Sequence, residues 1–81
     1  MATTATKNPL SDLMYDWLTV LQSKAEGLAA YERYVKDAEE ANATECVDML
    51  NKLREQESAM LCEIKKHVFG MIAESEAKEA H

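Results

Sequence analysis

From Leu10 onward, apolar side chains recur in alternating steps of four and three: Leu10, Met14, Trp17, Leu21, Lys24, Leu28, Tyr31, Val35 and Ala38. Only Lys24 is charged. A 3.5-residue repeat of this kind lays one continuous stripe against a neighbouring helix. Leu13, Leu18, Val20 and Ala25 flank the stripe and widen it, as in a bundle with more than one neighbour. The pattern breaks over residues 39–45 and resumes as Cys46, Leu50, Leu53, Glu57, Met60, Ile64, His67 and Met71, broadened by Val47, Leu61, Val68 and Ile72.

The ends of these stripes carry helix signals. Asn8-Pro9 is a start signal, because a proline in the first turn has no N–H to waste. Ser11 is a competing cap. Asn42 followed by Glu45 reads as a capping box, with Thr44 as the alternative cap, which puts the turn at 41–44. The pattern predicts an all-α hairpin over residues 9–74, with helix one at about 9–41 and helix two at about 44–74. Residues 1–8 are expected to form a mobile tail and 75–81, without an apolar stripe, a frayed one. Each helix would be near 45 Å long. Two such helices joined by a tight turn must run antiparallel, and a lone hairpin leaves half of each wide stripe wet. Two hairpins dimerising into a four-helix bundle would bury it. The expected dimer core is Trp17, Leu21, Leu28, Tyr31, Leu53, Met60 and Ile64.

Composition agrees with helices and narrows the function. In 81 residues there are one proline and two glycines, so turns are few. Nine basic against 15 acidic residues give a net charge of −6. That excess argues against a nucleic-acid binder, which needs a positive footprint, and against an anionic membrane surface. The start has no apolar signal core, and no apolar run approaches the ~20 residues of a membrane span, so a cytoplasmic setting is expected. Cys46 and Cys62, 16 residues apart on one helix, would stand about 24 Å apart and cannot form an internal disulfide. Cys46 is expected to be buried on the stripe and Cys62 to lie nearer the outer face. There is no phosphate loop, CxxC or HExxH. The two histidines, His67 and His81, offer no base for a serine triad. No catalytic site and no cofactor are expected.

Lys24 and Glu57 stand where the stripe calls for apolar side chains. Lys24 could snorkel outward. The sharper reading is a structural Lys24–Glu57 ion pair, duplicated by two-fold symmetry, which would set register and oligomeric state more than stability.

At these residues the chain resembles a known family. Residues 17–72 look like one helical hairpin of the ferritin-like (rubrerythrin and bacterioferritin) superfamily: LTVLQSKAEGLAAYERYVKDAEEA, with its Ala30-Tyr31 pair, resembles the first helix and MLNKLREQESAML the second. The resemblance implies a metal-binding glutamate seven residues before the tyrosine, and that position is Lys24. It implies Glu-x-x-His on the second helix, and those positions read Glu57-Ser58-Ala59-Met60. The spacing from 24 to 57 is similar to the family's, and some members are single hairpins that dimerise to complete the site. Of three ligand positions only Glu57 remains, and the Met60 thioether is a poor ligand for hard metals. Two Glu57 and two Lys24 in a dimer would balance charge without a metal, so the resemblance implies a metal-free relative.

Other chemistry is weaker. Glu63 and His67, at i and i+4, could hold a metal together with a partner subunit. Glu26 or Glu32 with Glu57 is a further option. Met14, Met60 and Met71 read as core packing. The leading function is a small cytoplasmic hairpin in a homo-oligomeric bundle with a structural or interaction role. The alternatives are a ferritin-like metal binder with rearranged carboxylates, and an adaptor whose acidic face engages a basic partner protein.

Overall fold

The computed structural model describes residues 10–79 and shows two packed helices, α1 (Asp12–Glu40) and α2 (Thr44–Glu79). No strand occurs among the described residues. The Asn8-Pro9 start and the 1–8 tail lie outside them. Within them the competing cap is used: the Ser11 side chain accepts a hydrogen bond from the Met14 N–H at 3.1 Å, and Asp12 opens the first turn at the positive end of the helix dipole.

The turn differs from the capping-box reading. Asn42 adopts a left-handed backbone, φ 57°, and serves the end of α1. The Asn42 N–H donates to the Glu39 carbonyl and the Ala43 N–H to the Ala38 carbonyl, each at 3.0 Å. This is a Schellman closure, in which a left-handed residue lets the chain turn back and satisfy the last free carbonyls. Asparagine tolerates that conformation better than other non-glycine residues. The first carbonyl used by α2 is that of Ala43, which accepts from the Val47 N–H, so Asn42 is not the α2 cap.

α2 runs to Glu79, five residues past the expected end. The segment AESEAKE has no apolar stripe, but it is rich in alanine, glutamate and lysine with no breaker, and intrinsic propensity carries the helix on. Residues 80 and 81 lie outside the described range.

The helices meet along α1 residues Met14, Trp17, Leu21, Leu28, Tyr31, Val35 and Ala38, buried or half-buried as the repeat predicts. On α2 the covered row is Val47, Leu50, Arg54, Glu57, Leu61, Ile64, Val68 and Met71. Alternate members of the predicted α2 stripe, Cys46, Leu53, Met60 and His67, are exposed instead. Contact is made one residue further along at those steps. Burial is thin: among the described residues Met14, Val35 and Val68 are the buried apolar side chains, and Val68 alone is fully enclosed.

Candidate functional site

With the contact row at heptad positions a and d, α1 has Met14, Leu21, Leu28 and Val35 at a, and α2 has Val47, Arg54, Leu61 and Val68 at a. In an antiparallel pair, reversing one helix brings the g positions of both onto one side and the e positions onto the other. The g positions are Leu13, Val20, Gly27 and Tyr34 on α1, and Cys46, Leu53, Met60 and His67 on α2. None is acidic, lysine or arginine. All are exposed, with Leu13 at 59%, Met60 at 50% and Tyr34 at 45%. The e positions are apolar at Leu18, Ala25 and Ile72 and polar at Glu32, Glu39, Asn51, Ser58 and Lys65. The hairpin therefore has one apolar flank and one mainly polar flank, although exposed Tyr15 and Phe69 lie toward the latter near the open end.

The polar groups of the hairpin's middle edge this apolar flank. The Tyr31 hydroxyl donates to the Glu57 carboxylate at 2.7 Å, a charge-assisted bond between the helices. The carboxylate holds the Tyr31 proton and, with partial burial, raises the phenol above its ordinary value of 10.0. The Tyr34 ring meets the Tyr31 ring edge-on at 5.6 Å. Towards the open end, His67 lies against Trp17, ring centres 4.6 Å apart.

Within one chain, the contacts among the described residues do not include a Lys24–Glu57 pair. Glu57 is half-buried and bonded to Tyr31, whereas Lys24 is exposed and has no hydrogen-bond or ion-pair partner among the described residues. The register explains it. The Tyr31 hydroxyl reaches Glu57, and Lys24 stands seven residues, about 10 Å, further from the turn along α1. Cys46 is exposed rather than buried, because Val47 takes the contact row; Cys62 is exposed as well. Of the expected dimer core, Trp17, Leu21, Leu28, Tyr31 and Ile64 are half-buried in the hairpin's own seam, and Leu53 and Met60 stand outside it.

The alternative metal ligands are not brought together. Glu26 is exposed and accepts from the Gln22 side chain at 3.2 Å, and Glu63 and His67 are exposed on α2 apart from Glu57. Among the described residues no group of three histidine, cysteine or acidic side chains is placed to hold a metal ion. No described helix is long and apolar enough to cross a membrane. What repetition alone did not separate was the face used inside the hairpin from the face left open, and Arg54 is the residue that marks the difference. Compared with family models, curated proteins and solved structures, the chain has no match.

Proposed function

We propose that this chain is a cytoplasmic helical-hairpin building block that works by assembling with copies of itself into a four-helix bundle, in a structural or interaction role. The single observation carrying this reading is the uncharged g flank. Leu13, Val20, Tyr34, Leu53 and Met60 leave on the order of 500 Å² exposed on one side, at the upper end of what a monomer leaves uncovered. The d positions form the side of the hairpin seam that borders this flank, so a second hairpin would enclose Tyr31, Glu57 and Lys24 at the bundle centre. The ferritin-like resemblance belongs to the same proposal: a lysine and a tyrosine-bound carboxylate take the place of metal ligands.

Light scattering of the untagged protein tests the reading. A dimer mass that falls on dilution supports it, and a folded monomer at all concentrations overturns it. Metal analysis of protein purified without chelator tests the alternative. Stoichiometric iron, manganese or zinc would replace the structural role with ferritin-like metal binding.

A further inference from the structure

Lys24, Gly27 and the Tyr31–Glu57 pair are spaced almost evenly along the hairpin. Lys24 lies three residues before Gly27, and the Tyr31–Glu57 bond lies four residues after it. All three polar side chains occupy d positions. A two-fold axis at Gly27, perpendicular to the helices, carries residue 24 of one copy to the level of residue 30 of the other, beside the Tyr31–Glu57 hydrogen bond. We propose that the second copy docks on the g flank in this orientation, turns at opposite ends, so that Lys24 of each chain pairs with Glu57 of the other. This rests on the assembly reading above and adds the orientation, the position of the axis and a residue supplied by the partner.

Four observations carry it. A Cβ built on Gly27 meets nothing within 4 Å, so the hairpin itself does not require a glycine at this unfavourable mid-helix position. A second α1 crossing there would use the missing side chain for close approach. Among the described residues Glu57 has one donor, Tyr31, and a carboxylate accepts more than one. Lys24 has a charge and no partner among the described residues. The turn end carries Asp37, Glu39, Glu40, Glu45 and Asp48 with no lysine or arginine from 37 to 51. Copies with their turns together would crowd two such clusters. Antiparallel copies hold them tens of ångströms apart, several Debye lengths at physiological salt. The resulting interface is self-complementary, as a two-fold axis demands: each copy supplies one lysine and one glutamate.

A charge exchange between chains tests the pairing. Lys24→Glu alone sets glutamate against Glu57 of the partner subunit, and Glu57→Lys alone sets lysine against Lys24 of the partner subunit. Each variant by itself should dimerise at least tenfold more weakly than wild type. An equimolar mixture should recover dimers of wild-type strength, because the mixed dimer has two opposite-charge pairs. A wild-type dimer without recovery on mixing overturns the pairing. Glu57→Lys also removes the acceptor of Tyr31, so orientation is read separately with both charges intact. A spin label at Glu40→Cys, in a Cys46→Ser/Cys62→Ser background, should show an intersubunit distance of roughly 40 Å or more, from 13 residues of helical rise on each side of the axis. A distance under about 25 Å means the turns lie together and overturns the proposal. A wild-type chain that is monomeric throughout removes the assembly reading itself.

Discussion

Glu57 is the residue at which stability, register and assembly meet. A half-buried carboxylate in an apolar stripe requires a donor, and the hairpin supplies the Tyr31 hydroxyl. Because the carboxylate raises the Tyr31 phenol, the folded chain keeps this proton to higher pH than the unfolded chain. The contribution is fully present below the unfolded tyrosine value, near 10, and is lost as pH rises through the folded value. Urea midpoints measured from pH 8 to 11.5 should therefore fall more steeply for wild type than for Tyr31→Phe. Tyr31→Phe should be the less stable at pH 8, with the gap closing above pH 10. A gap that stays constant across that window would remove Tyr31 as the titrating group. Val68 acts through packing instead. As the one fully enclosed side chain among the described residues, its truncation to alanine should cost about 2 kcal/mol, from two lost methyl groups and a small cavity. For a domain this size that is a drop of roughly 10 °C in melting temperature.

At the scale of elements, the turn is the most exacting segment and the open end the least. Asn42 holds a left-handed backbone that a β-branched residue resists, so Asn42→Val should destabilise by about 1–2 kcal/mol, while Asn42→Gly should leave stability unchanged or raise it. Ala43 begins α2 without a side-chain acceptor, and Ala43→Ser should stabilise by about 1 kcal/mol, the added hydroxyl accepting from a free N–H in the first turn of α2. Thermal melts of these three variants, read against one another, separate the closing of α1 from the opening of α2. The elements themselves were legible in the repeat, and so was the α1 contact row, residue for residue apart from Leu10 and Lys24. The α2 row was half legible. Leu50, Glu57, Ile64 and Met71 lie in it as read, but two rows compete for the remaining positions. Cys46, Leu53, Met60 and His67 form one, and Val47, Arg54, Leu61 and Val68 the other. Arg54 makes the true row look broken. In the structure its guanidinium donates to the Asn51 side chain at 3.1 Å and its stem lies half-buried, so a charged residue serves the seam while Leu53 faces out. The Tyr31–Glu57 bond was hidden for a related reason. It depends on the helix register, which the turn sets through Asn42, and a capping-box reading of that turn does not yield it.

For the whole molecule, the decisive quantity is thickness. The chain measures 58 × 27 × 11 Å, a single layer of two helices, and a layer one helix deep has no interior of its own. Two layers are the minimum that encloses both faces of such a stripe. Folding and assembly should therefore separate cleanly by position. Met60 and Leu53 stand outside the hairpin's contact row and are 50% and 36% exposed, so Met60→Gln with Leu53→Gln should change the stability of an isolated hairpin by no more than about 1 kcal/mol for each site. In an assembled bundle the same pair would leave polar groups on a desolvated face and weaken association by a factor of about 100 or more, at a few kcal/mol for the two sites. Val68→Ala should do the opposite, lowering the melting temperature at every concentration. Melting curves at about 2 and about 200 μM distinguish the cases. Wild type should gain several degrees on concentration, by mass action on an assembled native state. The glutamine variant should lose that gain and keep its helical signal, and a glutamine variant as concentration-dependent as wild type would move the interface to the flank that carries Tyr15 and Phe69.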